Sequence, residues 1–516
     1  MDERFGIVQA IVIEKGLIVA VGNLRRLRQD FPTARQVDIS GGAIIPAFND
    51  CHAHLLLLGQ DLTRCDLGQC RTRGQVLWAL QQWIGKKPSE PWVMGWNFDA
   101  ARYEEPHPLT CRDLDDAFSW QPVIISENTK HTLVVNSAAM KLAGISGSTP
   151  NPPSGIIDRD AAGKPTGVFR EMAAMELIES TLPDPGEAGV VNMLHAAMAD
   201  LEQKGILAAS EAFAGNWYPL EAKVRAYNRV LEQGGPIRVT LMPEFLAAER
   251  AGWLEPGALF DMPLHPDLRL GPLKLMADGA ISARTAALCK PYENSDAKGY
   301  LALDREELER RLLRAQRAGM PTATHAIGDR AIKITLEVIE KVQTACPKAH
   351  LHHRIEHAIL MDALLCGRLA AAGIMVAAQP QLLLEMGDTH YAALGERSLH
   401  EKPYRSLLQA GVRLGFGSDL PVVSGDPILG WRTAVDRKTR SGRQLGPGEA
   451  LSSLEALRCY TCGSADVGGD FALGRLVPGQ QARFAVLNHR PELILEEDIR
   501  VTGVSSRIVS DGMGPG

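Results

Sequence analysis

Apolar and polar positions along this chain change period several times. From residue 205 onward, short apolar runs that read as strands alternate with stretches whose apolar residues recur every three or four positions, as on one face of a helix. The strand candidates are GILAASEA, PIRVTLMPEF, LRLGPLKLMADG, MPTATHAIGD, HRIEHA, GIMVAAQP and VRLGFGSD, and helices such as REELERRLLRAQRAG and DRAIKITLEVIEKVQ lie between several of them. An apolar run within residues 41–59, GGAIIPAFNDCHAHLLLLG, contributes one more strand. Eight strands alternating with helices predict an α/β fold built as a closed (β/α)8 TIM barrel, and no short-period repeat competes with it.

The two ends of the chain follow a different pattern. GIVQAIVIEKGLIVAVG, near the start, is β-rich and broken at Lys15-Gly16 as a hairpin would be. GRLVPGQQARFAVLNHR and IRVTGVSSRIVSDG, near the end, are again short, β-branched and punctuated by turns. Together they predict a small β-sandwich domain drawn from residues 1–42 and 475–516, flanking a barrel domain at 43–474. Between about residues 60 and 204 the pattern becomes irregular, with aromatics, prolines and acids mixed in PWVMGWNFDAARYEEPHP. This stretch reads as a subdomain inserted after the first barrel strand, of the kind that supplies lids and specificity loops.

Composition narrows the classes. The 516 residues carry a net charge of -6, with 45% hydrophobic and 22% charged residues, the balance of a globular protein able to bury a sizeable core. A nucleic-acid partner would need a basic surplus or a basic face, and the short run LRRLR at 24–28 reads as a solvated helix face. The N-terminus begins with charges and lacks a signal-peptide core, while the four leucines at 55–58 are far too few to span a bilayer. A cytoplasmic location without a membrane partner is expected. Nine scattered cysteines agree with a reducing compartment, and the lone Cys459/Cys462 pair fits a small helical core better than a zinc ribbon.

Candidate chemistry starts at His52 and His54. Side chains alternate along a strand, so these two point one way and Ala53 the other, which suits two ligands on one metal. In a barrel, chemistry gathers at the C-terminal strand ends. Those ends hold His52 and His54 on the first strand, Lys274 on the fourth, His325 on the fifth, His357 on the sixth and Asp419 on the eighth. Imidazoles and a carboxylate make a site for zinc or a related divalent ion, with one position open for a water that the ion acidifies. Asp419 is suited to accept that water's proton and return it to a leaving nitrogen. Each member also has an ordinary reading. His325 could cap the following helix, and Asp419 could start a turn. Lys274 could pair with Asp278, and His357 with Glu356, although alternation puts those last two neighbours on opposite faces. Six such groups from five strand ends are more than ordinary core residues produce.

The ordered set DCHAHL, PLKLMADGA, THAIGDRA, RIEHA and GSDLPV resembles the amidohydrolase superfamily, and within it the family 3 branch that includes N-substituted formamide deformylases. The likeness runs from about residue 16 to 486 and takes in GWNFD, HTLVVNSAAM, GKPTGVF, DGAISARTAAL, CYTCGSAD and GRLVPGQ. It implies a metal-dependent hydrolase of a non-peptide amide, formamide or cyclic amide, in which His52, His54, His325, His357 and Asp419 bind one or two divalent ions, usually zinc. In the two-ion form Lys274 is carboxylated and its carbamate bridges the ions. The resemblance also sets His131, Arg284 and Trp96 beside a small organic substrate and implies a homodimer. Ester or lactone hydrolysis on the same site, and a non-catalytic metal-binding regulatory protein, are the other readings. The chain departs from the family pattern at Glu211, where relatives have Asp, at Arg483, where they tend to have an acid, and at Cys51, which is expected to face away from the metals. Relatives also carry another strand or two before GLIVAVG.

Overall fold

The computed structural model describes residues 7–505 apart from residues 40, 105–106, 128–130, 154, 217, 256–262 and 349–350. The last part of the β-rich segment read at the C-terminus, residues 506–512, lies outside the described residues. The chain divides into two compact units, Met1–Leu55 with Met198–Gly516, and Leu56–Ala197. Among the described residues no helix is long and apolar enough to cross a membrane.

The larger unit is α/β and carries the parallel strands. They are β1 (Phe48–Ala53), β2 (Ile206–Ala214), β3 (Arg238–Pro243), β4 (Leu268–Leu270), β5 (Leu273–Met276), β6 (Thr322–Ala326), β7 (Arg354–His357), β8 (Met375–Ala378) and β9 (Leu414–Phe416). β1 to β4 pair in that order as one parallel sheet, and β5 to β9 pair in order as a second. Strict pairing therefore gives two sheets where the sequence predicts one closed ring. The difference begins at LRLGPLKLMADG, read as a single strand and broken at Gly271-Pro272 into β4 and β5. Pro272 has no N–H to extend a ladder. A Cβ on Gly271 would lie 2.6 Å from a Thr240 methyl, so that neighbour approaches the bare backbone closely.

Hydrogen bonds nevertheless cross both seams. Glu244, just past β3, forms a parallel bridge with Lys274 of β5. At the other seam, Asp419 N–H donates to the His52 carbonyl at 2.7 Å, and His54 N–H donates to the Leu420 carbonyl at 2.9 Å. Gly417 makes that approach feasible, since a Cβ there would lie 2.6 Å from the His52 nitrogen.

Strands buried on both faces are a property of parallel sheets covered by helices, and β1, β6, β7 and β8 are buried throughout. The covering helices follow the predicted period. Arg305–Ala318 starts at Asp304, whose carboxylate accepts from Glu307 N–H, and stops at Gly319, whose φ of 78° is left-handed. It buries Leu308, Leu312 and Ala315, while Asp329–Ala345 buries Ile332, Leu336, Ile339 and Val342. Each fully buried Leu or Ile contributes on the order of 2 kcal/mol.

Segments from both ends of the chain meet in the same unit. Phe484–Leu487 sits between Val501–Val504 and Ala43–Pro46 in a three-stranded antiparallel sheet. Ala10–Glu14 and Leu17–Gly22 form the expected hairpin, turning at Lys15 and Gly16 with φ of 50° and 76°. Leu17 bridges onward to Gln481.

The unit Leu56–Ala197 is more regular than its sequence reads. It holds a mixed six-stranded sheet in the order Cys65–Asp66, Val93–Phe98, Val123–Glu127, Thr132–Val135, Pro165–Arg170, Ile156–Arg159. Val123, Ile125, Val134 and Val168 join one apolar cluster, while Ile124, Leu133, Val135 and Phe169 join another. Alternate residues thus feed separate cores, which hides the polar–apolar alternation by which a half-buried strand is recognised.

One buried histidine braces the strand that carries much of the site. His353 Nδ1 accepts from Thr322 N–H at 3.1 Å and from the Thr322 hydroxyl at 2.8 Å, and its Nε2–H donates to Gln316 Oε1 at 2.8 Å. Burial, with the neighbouring His352, lowers its pKa to about 4. The unfolded imidazole protonates near pH 6.5 and the folded one only near 4, so its stabilisation is complete above pH 6.5 and drains away as the pH falls toward 4. His353→Gln is expected to flatten part of this slope in urea midpoints recorded from pH 7 to pH 4. A slope equal to wild type would remove His353 as a source of it.

Candidate metal centre

The ends of β1, β5, β6, β7 and β9 bring the six expected side chains into one cluster. His52 and His54 stand with ring centroids 5.6 Å apart, His52 and His357 at 4.9 Å, and His325 and His357 at 4.5 Å. Asp419 reaches in from beyond β9, its Oδ1 lying 3.2 Å from His54 Nε2 and 3.5 Å from His52 Nε2. Its turn-like backbone, with φ of 65°, aims the carboxylate at the imidazoles. Lys274 is buried on β5, close enough to weigh on the protonation of His52, His325 and His357. The tightest group is His52, His357 and Asp419, whose candidate donor atoms all lie within 4.8 Å of one another.

Each histidine has one ring nitrogen already engaged. His52 Nδ1 bonds to Glu356 Oε2, His54 Nδ1 lies 3.1 Å from the Ala212 carbonyl, and His357 Nδ1 lies 2.8 Å from Gln379 Oε1. An Nδ1–H donated to an oxygen leaves Nε2 as the bare, lone-pair nitrogen. His325 is the reverse, with Nε2 3.1 Å from the Gly279 carbonyl, which leaves Nδ1 bare. Burial, together with Lys274, holds the His52 and His325 pKa values down at about 4 and about 3. Burial and His325 push His357 well below the ordinary value. Neutral imidazole is the form that binds a metal.

The carboxylates are held ionised. Burial alone would raise the pKa of Asp419, but its contact with His54 and the nearby His52 and His357 bring it below the usual carboxylate range. Glu356 is treated likewise by Arg354 and His52. With the imidazole protons on Nδ1, the Nε2 lone pairs of His52 and His54 face an anionic oxygen. Only a positive group between them, a proton or a metal ion, makes that contact favourable, and the set of imidazole nitrogens with one carboxylate fits a divalent ion.

One ordinary reading falls away. Asp278 does not need Lys274, because its oxygens accept from Ile327, Gly328 and Ala287 N–H at 2.9–3.0 Å. The alternation argument at Glu356 and His357 fails too. Both side chains reach His52, since His357 has φ of 69° and has left extended geometry. Cys51 packs as expected against Met375, Ala377 and Val467, and burial pushes its thiol up to about 12.

The remaining expected residues have local partners of their own. Arg284 is exposed, with φ of 55°, its guanidinium 3.1 Å from the Glu293 carbonyl and over the Tyr292 ring. In the smaller unit, His131 is exposed with Nδ1 3.0 Å from Glu171, and Trp96 is half-buried on the strand Val93–Phe98.

Sequence reasoning passed over Glu356, Gln379 and Glu211 as supports for the cluster. The signal for two of them was position, since Gln379 lies near the end of the seventh strand candidate and Glu211 near the end of the second. Glu211 is fully buried, its Oε1 accepting from Lys223 Nζ at 2.7 Å and its Oε2 from Tyr227 Oη and Leu55 N–H, both at 2.7 Å. It therefore clamps the backbone immediately after His54. Glu211→Gln strands the Lys223 charge and is expected to cost about 3–5 kcal/mol in urea unfolding. Adding Lys223→Met should recover much of the loss. A cost below about 1 kcal/mol for the single variant would contradict the clamp.

Residues 35–511 match the sequence profile of the amidohydrolase family. The chain is 31% identical over 512 residues to the amidohydrolase YtcJ of Bacillus subtilis, covering 97% of this chain and 95% of that one. It is 30% identical over 512 residues to the N-substituted formamide deformylase of Arthrobacter pascens, covering 95% and 92%. A metal-dependent hydrolase from Pyrococcus horikoshii superimposes with a TM-score of 0.76 at 26% identity, covering 94% of both chains.

Proposed function

The chain belongs to the amidohydrolase family and is a metal-dependent hydrolase acting on carbon–nitrogen bonds; from that premise we propose that it cleaves a non-peptide amide, formamide or cyclic amide at the cluster around His52. In this reading the two parallel sheets are one (β/α)8 barrel, with β4 and β5 as halves of a single strand. The hydrogen bonds across both seams support it.

His52, His54, His325, His357 and Asp419 would hold one or two divalent ions, zinc by preference of the donor set. Lys274 would complete the two-ion form as a carbamate. Burial already lowers its pKa to about 8, which eases access to the neutral amine that must react with carbon dioxide. When bound, the ions acidify a water and polarise the carbonyl.

The chain's own groups do the rest. Ala212, Gln379 and Glu356 fix the ring orientations, so the donors are in place before substrate arrives. Asp419 accepts the proton of the attacking water as oxygen adds to the carbonyl carbon. It then gives that proton to the nitrogen as the carbon–nitrogen bond breaks, so one side chain serves as base and acid in turn. Substrate choice starts from the relative in Arthrobacter pascens, and N-substituted formamides are the first class to test.

The observation that carries this reading is the convergence of His52, His54, His325 and His357 on an ionised Asp419, with burial holding the His52, His325 and His357 imidazoles neutral. Protein purified without chelator or metal-affinity resin is expected to contain about two divalent ions per chain, and His52→Ala with His54→Ala to contain almost none. Asp419→Asn is expected to cut kcat on an N-substituted formamide at least about 10²-fold with the urea midpoint nearly unchanged. Absence of metal from the wild-type chain after supplementation, or full turnover by Asp419→Asn, would overturn the proposal. Turnover restricted to esters or lactones would move the substrate class.

A further inference from the structure

Behind His52 lies a fully buried chain of charge that binding an ion does not by itself require. Glu356 and Arg354 are both wholly inaccessible to solvent. Arg354 Nε donates to Glu356 Oε1 at 2.6 Å, and Nη2 to Glu356 Oε2 at 2.8 Å, so the pair is bidentate. The guanidinium also reaches backbone, Nη2 to the Cys51 carbonyl at 2.7 Å and Nη1 to the Val467 carbonyl at 3.0 Å, with the Met242 sulfur 3.3 Å from Nη2. Arg354 and Glu356 sit two apart on β7, and share a face of it. β1 belongs to the other sheet, so the contacts to Cys51 and His52 join residues from the two sheets.

We infer that Glu356 is the positioning residue of the metal centre: clamped by Arg354, it takes the Nδ1–H of His52 and so fixes which nitrogen, and which ring plane, the ion meets. This rests on the metal-centre reading above. Three features favour it over simple charge compensation for Arg354. A carboxylate needed only to neutralise the guanidinium has no reason to contact a third residue, yet Oε2 is shared between Arg354 and His52. Arg354 also holds the carbonyl of Cys51, the residue before His52, so backbone and side chain of the same ligand are located by one rigid fork. Finally, an anion bonded to Nδ1–H raises electron density at Nε2 and makes it a better donor to a metal, which a neutral amide does less well.

The experiment is a metal titration of the full-length chain after chelator treatment, with Zn²⁺ competed against a chromophoric chelator. Glu356→Gln and Glu356→Asp are compared in wild-type and His52→Ala backgrounds. Glu356→Asp keeps the charge that Arg354 needs and withdraws the carboxylate from His52 by one methylene, so it remains informative even where Glu356→Gln fails to fold. Both variants are expected to weaken the tightest Zn²⁺ site about 10–100-fold. The same substitutions should change affinity less than about threefold when His52 is already alanine, because the effect travels through that ring. Wild-type affinity in Glu356→Asp, or an equal loss in both backgrounds, would overturn the positioning role. A wild-type chain that binds no Zn²⁺ would defeat the metal-centre reading itself, and is told apart by the first titration.

Discussion

A charge taken out of water must be answered by another charge or by hydrogen bonds, and in this protein that rule governs the middle of the larger unit. Parallel strands covered by helices have no wet face, so polar residues on them cannot turn toward solvent. Asp50, His52, Arg354, Glu356 and His357 are all buried there. Asp50 accepts from Ser418 and from His52 N–H, Arg354 spends its donors on Glu356 and two carbonyls, and Gln379 answers His357. Once these partners are assigned, few orientations remain for the imidazoles. The site is thus a by-product of satisfying the core, and its rigidity comes from the same bonds.

What could be read from the sequence follows from which periods survive in the fold. His52 and His54 were legible as a pair because β1 keeps strand geometry, where every second residue shares a face. His325 and Asp419 were legible because each stands at or just past the end of an apolar run, and Lys274 because it is a charged residue set inside one. Glu356 was missed for the complementary reason. Strand alternation assigned it to the face opposite His357, and the positive φ of His357, invisible in sequence, cancels that argument. Glu211 drew notice only as a departure from the family pattern. Its triple commitment to Lys223, Tyr227 and Leu55 is long-range and leaves no local trace.

The fold was legible at a coarser grain. Helix periods over residues 305–318 and 329–345 carried through because apolar spacing is regular in both, and in the first the caps at Asp304 and Gly319 agree with it. The interruption at Gly271-Pro272 was hidden inside a stretch that alternates like one strand, where only the glycine and the missing N–H of proline warn of a break. In the smaller unit the strands are apolar on alternate residues facing two cores, which erases the contrast between faces. Asn136 marks one boundary that did have a signature, its side chain closing four hydrogen bonds to Val123, Ala139, Phe118 and Gln121.

The break between β4 and β5 also divides ownership of the cluster. His52 and His54 ride on or beside one sheet, while Lys274, His325, His357 and Asp419 ride on or beside the other. In the proposed reading an ion held by both sets would tie the two sheets together in addition to the hydrogen bonds that already cross their seams. Mass action then makes the cohesion of the larger unit a function of free ion, about 2.7 kcal/mol when that concentration is a hundred times the dissociation constant. In a metal-starved cell the same fall in occupancy that stops catalysis would also weaken the hold between the two sheets, so activity and protease resistance would decline together.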